Sequence, residues 1–142
     1  MRQALVMARR AGRLGEVPVG CVVVRDGEII AQEHNAPIAT NDPTGHAEVR
    51  ALRKAGRVLG NYRLPECDLY VTLEPCAMCA GAMVHGRIGR LIFGATDPRT
   101  GACGSTMDLV GPGYGNHQLD VTAGVLADES AQLLREFFKQ RR

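Results

Sequence analysis

Three short fragments hold residue types that can do chemistry together: His46-Ala47-Glu48, Glu74-Pro75-Cys76 and Cys76-Ala77-Met78-Cys79. Cys76 and Cys79 stand at i, i+3, so on a helix their sulfurs share one face. Zinc takes thiolate and imidazole ligands tetrahedrally, and C-x2-C is a usual half-site. His46 is the natural third donor. Two cysteines and a histidine leave one position open, the mark of catalytic rather than structural zinc. Such an ion lowers the pKa of a coordinated water from near 16 to about 7. Glu48 lies two residues beyond His46 and off its helix face, which makes it a poor ligand. At a helix N-terminus it can still reach the region beside the metal, take a proton there and return it to a leaving group. A closed, structural site is the alternative. It needs a fourth ligand, for which His85, Cys67 and Cys103 are available. A redox pair is disfavoured, because no thioredoxin-like motif surrounds the cysteines.

Each fragment needs a helix start behind a strand or loop, and the pattern supplies them. Ala4, Leu5, Ala8 and Ala11 recur at helical spacing and predict a first helix. No N-cap precedes it, so the natural helix is expected to begin upstream. Pro18 to Val24 reads as a strand, Asp26-Gly27 as a two-residue hairpin turn, and Glu28 to Glu33 as the returning strand. A polar loop from Asn35 to Asn41 follows. Asp42-Pro43 has the form of an N-cap with proline at the first helical position. It predicts a helix from Pro43 to Ala55 that stops near Gly56 or Gly60. Asp68 to Leu73 reads as a buried strand, Pro75 to Val84 as a helix and Leu91 to Phe93 as a fourth strand. After a glycine-rich loop, Leu119 to Ala123 is a short strand. The last helix, Ala127 to Arg142, places Leu133, Leu134, Phe137 and Phe138 on one apolar face. This order predicts an α/β domain with helices covering a largely buried sheet. In such sheets ligands sit at strand-to-helix turns.

Composition sets the bounds. The chain has 142 residues, 45% hydrophobic and 23% charged, which excludes a disordered or low-complexity chain. One core suffices at this length, so a single domain over residues 1–142 is expected. No apolar stretch approaches the roughly 20 residues of a membrane span. Arg9, Arg10 and Arg13 interrupt the run where a signal-peptide core would lie, so the expected location is the cytoplasm. Five cysteines, an odd number, argue against a disulfide framework. Net charge is only +2, but its distribution is uneven. The tail sets Arg135, Lys139, Arg141 and Arg142 against Glu136 alone, and Arg50, Arg53, Lys54, Arg57 and Arg63 run without an acid among them. Such stretches can meet phosphate; they also occur as plain solvated helix faces.

H-x-E followed by P-C-x-x-C is the pairing found in zinc deaminases. Further segments extend the likeness: EVPVG (Glu16 to Gly20), DPTGHAE (Asp42 to Glu48), NYRL (Asn61 to Leu64), YVTLEPCAMCAGAM (Tyr70 to Met83) and the run from His85 to Ser105. With them the chain resembles, over nearly its whole length, the bacterial tRNA-specific adenosine deaminases of the cytidine deaminase-like superfamily. The resemblance implies a three-layer α/β/α fold with a mixed five-stranded sheet, a homodimer and one zinc ion per subunit. It implies hydrolytic deamination of adenosine to inosine at the wobble position of a tRNA anticodon. By the same resemblance His46, Cys76 and Cys79 hold zinc, Glu48 shuttles protons, and Asn35 holds the flipped-out nucleoside. Arg63 and Asp97 fall near the anticodon loop, and Phe138, Arg141 and Arg142 belong to the C-terminal segment that contacts it. The alternative within the same chemistry is a free nucleobase or nucleoside deaminase acting on guanine or cytosine. The non-enzymatic alternative is a zinc-stabilised RNA-binding module, against which Glu48 stands.

Overall fold

Residues 1–142 are described by a computed structural model. Along the chain run α1 (Arg2–Arg13), β1 (Gly20–Arg25), β2 (Glu28–His34), α2 (Pro37–Thr40), α3 (Ala47–Leu59), β3 (Cys67–Leu73), α4 (Ala77–His85), β4 (Arg90–Ala95), β5 (Asp120–Thr122) and α5 (Ala127–Lys139). The five strands form one sheet in the order β2-β1-β3-β4-β5. β1 is antiparallel to both neighbours, and β3, β4 and β5 are parallel to one another. The β1–β2 turn takes positive φ at both Asp26 and Gly27, as a tight hairpin of this twist requires.

Side-chain alternation sorts the two faces. Cys21 and Val23 of β1, Leu69 and Val71 of β3, and Leu91 and Phe93 of β4 enter a core with Ala47, Ala51 and Ala55 of α3 and Cys79, Ala80 and Met83 of α4. The opposite face takes α1 and α5, which touch each other as α3 and α4 do. The result is the three-layer arrangement with a mixed five-stranded sheet. Small residues set how close the layers come. α1 buries Ala4, Leu5, Ala8 and Ala11. It lies so near β1 that a Cβ on Gly20 would run into the Ala4 carbonyl and the Ala8 nitrogen.

The structure corrects several sequence expectations. Asp42 does not cap a helix: its Oδ1 accepts from the Thr44 N–H at 2.8 Å and the Thr44 hydroxyl at 2.7 Å, closing a turn instead. The helix begins at Ala47, with His46 in the N-cap position, and ends at Gly60 in the left-handed region. The expected loop from Asn35 to Asn41 contains the short helix α2. Its Ile38 and Ala39 N–H groups donate to the buried Glu16 carboxylate at 3.2 and 2.9 Å. Further on, α4 starts at Ala77 rather than Pro75, with Cys76 as its N-cap. α5 ends at Lys139, and its apolar residues do not share one face: Phe137 is buried, whereas Phe138 is 48% exposed.

Candidate metal centre and its loops

His46 and Cys76 are the N-cap residues of α3 and α4, both with extended backbone. Neither side chain caps its own helix. Both turn inward, and the two helices start side by side. His46 Nδ1 lies 3.6 Å from Cys76 Sγ and 3.5 Å from Cys79 Sγ. The three donor atoms all fall within 4.8 Å of one another, and no fourth His, Cys, Asp or Glu joins the group. In a tetrahedral zinc site the edge between a sulfur and a nitrogen ligand comes to about 3.6 Å, from bond lengths near 2.3 and 2.05 Å. Both nitrogen–sulfur distances therefore already match the edges of a zinc tetrahedron. The three residues available as a fourth ligand lie elsewhere. His85 is exposed at the far end of α4, Cys67 opens β3 inside the core, and the Cys103 thiol faces the Pro75 carbonyl.

Glu48 is 4% exposed in the first turn of α3. The Cys79 thiol donates to its Oε2 at 3.3 Å. Burial pushes the Glu48 carboxyl above the ordinary glutamate range, although the neighbouring His46 charge and the Cys79 thiol favour its ionised form. The cysteines divide their acidity. Cys76 is drawn down to about 4, chiefly by the hydrogen bond from Cys79 and, against the cost of burial, by His46. Cys79 is pushed up by its hydrogen bond to Cys76, by burial and by Glu48. His46 rises, mainly through its hydrogen bond to Cys76. Two helix N-termini meeting here favour negative charge. To hold a divalent metal here, Cys79 would have to give up its proton.

Asn35 is buried between β2 and α3. Its Oδ1 accepts from the Ala47 N–H at 2.8 Å, so it caps α3 in place of the diverted His46 side chain. The Asn35 amide NH2 has no hydrogen-bond partner within the protein, and its Oδ1 partner Ala47 lies between His46 and Glu48 in the chain.

A buried acid that stood in one of the three fragments without an assigned role organises the far wall. Glu74, 2% exposed, accepts from the Cys103 and Ser105 N–H groups on Oε1 and from the Asp97 N–H and Ser105 hydroxyl on Oε2. A Cβ on Gly101 would land on this carboxylate. The loop from 97 to 105 is thereby stitched to the residue two before Cys76, and the Ala102 N–H adds a bond to the Pro75 carbonyl at 2.8 Å. The clue in the sequence is an acid sandwiched between a buried strand and a proline. Burial also pushes the Cys103 thiol up to about 12, helped by the Glu74 charge.

The remaining sequence candidates scatter around this centre. Asp97 spends its carboxylate on its own turn, accepting from Arg99 N–H, Thr100 N–H and Thr100 hydroxyl. Arg63 is exposed and packs on Tyr62, itself 71% exposed, with its Nε donating to the Tyr62 hydroxyl at 3.1 Å. At the C-terminus the Arg141 guanidinium lies 3.5 Å from the Phe137 ring centroid, and Phe138 and Arg142 are exposed. His117, for which the sequence suggested no role, pins its loop through a 2.8 Å bond between Nε2 and the Ile88 carbonyl.

With the geometry in place, comparison with known proteins is informative. The family model for the cytidine and deoxycytidylate deaminase zinc-binding region matches residues 1–95. The tRNA-specific adenosine deaminase of Haemophilus influenzae is 52% identical over this whole chain and 83% of its own. A structure solved in a study of A-to-I editing by tRNA:A34 deaminases at the wobble position is similar with a TM-score of 0.90 and 48% identity, covering 94% of this chain and 97% of that one. The guanine deaminase of Bacillus subtilis is similar with a TM-score of 0.65 and 44% identity, over 67% of this chain and 61% of that one.

Proposed function

The chain belongs to the cytidine and deoxycytidylate deaminase zinc-binding family, and from that premise we propose that it hydrolytically deaminates adenosine to inosine at the wobble position of a tRNA anticodon. Water adds at C6 of the base and the 6-amino group leaves as ammonia, so one C–O bond replaces one C–N bond. His46 Nδ1, Cys76 Sγ and Cys79 Sγ hold one zinc ion per subunit. The bound ion supplies a water that is acidic enough to react at neutral pH. Glu48, buried beside that position, takes a proton from the attacking water, passes it to the ring nitrogen and then serves the departing ammonia. Burial raises its pKa, the direction that helps a carboxyl return a proton it has taken. The Asn35 amide NH2 holds the extruded nucleoside; a loop nucleotide is already unstacked, so extruding it costs less than flipping one from a duplex.

The observation that carries this reading is the three-donor cluster at tetrahedral spacing, with Glu48 beside it and no fourth protein donor. Around it, Arg63 offers a guanidinium and Phe138, Arg141 and Arg142 offer aromatic surface and charge to the anticodon stem-loop. Asp97 serves by shaping its turn, since its carboxylate is already engaged. The chain acts as one catalytic domain in the cytoplasm; no helix is long and apolar enough to cross a membrane. It works as a homodimer, and α4 suits that role: Ala77 and Met78 are exposed and Gly81 and Ala82 half-buried, an unusually apolar outer face for a surface helix. Incubation with an unmodified anticodon stem-loop carrying adenosine at the wobble position tests the reading by inosine formation. Turnover of free guanine or cytosine, with none on the stem-loop, would overturn it in favour of a free-base deaminase.

A further inference from the structure

A polar groove runs along the β2 edge of the sheet, where α1 and α3 reach round the strand from opposite faces. It consists of two adjoining clefts of about 280 and 230 Å³. Arg10, Glu33, Arg50 and Lys54 wall the first. The second continues past Asp42, Arg53 and Arg57. The four cations of α3 stand at i, i+3, i+4 and i+7, a single stripe flanking the face that buries alanines 47, 51 and 55. Burial of those alanines accounts for the helix, so folding does not call for this charge.

The cations outnumber their acids. Glu33 pairs with Arg50 at 3.1 Å and Lys54 at 3.9 Å, and Asp42 pairs with Arg53 at 3.5 Å. Arg10 and Arg57 have no carboxylate partner. The Arg53 and Lys54 pairs, whose cations are exposed, contribute little and give way readily to a stronger anion, whereas Arg50–Glu33 is mostly buried. The near end of the groove is one helical turn from the metal centre: the Arg50 N–H donates to the His46 carbonyl, and its guanidinium donates to the carbonyl of His34, the neighbour of Asn35. From Arg50 to Arg57 the helix advances about 10 Å, long enough for the stripe to meet more than one phosphate of a backbone laid along it. Its lining is almost devoid of apolar side chains: Met7 in the first cleft and none in the second. That lining suits a polyanion held by charge and gives no anchor to a peptide or a lipid.

We propose that this groove is a second RNA-binding surface, seating the phosphodiester backbone of the stem that flanks the deaminated loop. The proposal rests on the tRNA reading above. It assigns the groove a positioning role without sequence readout, because it presents charge and no stacking surface.

The test measures binding of the wild-type protein, Arg53→Gln/Arg57→Gln and Glu33→Gln to a full anticodon arm and to the same loop closed by two base pairs, across a salt series. For the double variant the expected result is several-fold weaker binding of the full arm. Its log–log salt slope falls by about one for each phosphate that the variant no longer neutralises. Binding of the short loop, and kcat at saturating RNA, stay as in the wild type. Glu33→Gln, which removes the competing anion, binds the full arm more tightly. Unchanged affinity and slope in the double variant, or equal losses on both RNAs, would overturn the proposal. A wild-type protein that binds the arm through the groove yet forms no inosine would support the groove while refuting the deaminase reading.

Discussion

Replacing Glu74 with glutamine probes the loop that closes the metal centre. The carboxylate takes two donors on each oxygen: Cys103 and Ser105 N–H at 3.2 and 3.0 Å, Asp97 N–H at 2.8 Å and the Ser105 hydroxyl at 2.5 Å. Glutamine keeps the shape but turns one oxygen into an NH2 group. At the Oε2 position that group faces one obligate donor, the Asp97 N–H, because the Ser105 hydroxyl can turn to accept. A hydrogen bond to a charged group is worth about 1.5–3 kcal/mol, so losing that one costs about as much if the loop stays closed. That is a large share of the about 5–15 kcal/mol that holds a domain together. If the loop instead swings into water, the global loss is smaller and the amides of Asp97, Cys103 and Ser105 lose their protection. Urea unfolding and amide hydrogen exchange of Glu74→Gln, read together, separate the two outcomes. The expected result is a lowered midpoint, faster exchange at those three amides, or both. A midpoint shift worth less than about 1 kcal/mol with exchange unchanged would refute the assignment of Glu74 as the loop's anchor.

Other outcomes follow from the same geometry. Glu48→Gln keeps stoichiometric zinc, because Glu48 is outside the ligand group, and slows inosine formation by about 10²–10⁴-fold, the usual contribution of a general acid–base; metal analysis beside single-turnover kinetics checks both halves. The Asp97 carboxyl is raised by partial burial but held below the usual range overall by the hydrogen bonds from Thr100 and Arg99. A depressed carboxylate stabilises the fold above its unfolded pKa, and that contribution disappears as pH falls through the folded value. Asp97→Asn is therefore less stable than the wild type at neutral pH, and the gap narrows in acid; a gap that widened in acid would contradict the turn geometry. Gly20→Ala forces α1 off β1 and costs about 1–3 kcal/mol in urea unfolding. Wild-type stability in that variant would mean the helix does not lie so close.

The metal ligands were legible in the sequence because their chemistry is local: two thiols one helical turn apart and an imidazole at a helix start. The sheet and its helices were legible because their apolar periodicity is strong. What escaped was decided by tertiary contacts. Asp42-Pro43 has every local mark of a helix start, yet the helix waits until Ala47, where Asn35 reaches across from the end of β2 to cap it. α2 has too few residues for a periodic signal and draws its capping from Glu16, which is 22 residues away from Ile38. Glu74 stands in one of the three chemical fragments, yet its role emerges only when folding places three backbone N–H groups around it. Phe137 and Phe138 are adjacent on α5, so their different burial turns on which one faces α1 and the sheet.

X-ray absorption at the zinc edge of the purified wild-type protein, combined with metal counting, tests the central claim most directly. The account predicts one zinc per chain with two sulfur ligands near 2.3 Å, one imidazole nitrogen near 2.0 Å and a light, exchangeable fourth donor. Four protein donors around the ion, or a chain that deaminates RNA with no zinc bound, would contradict it.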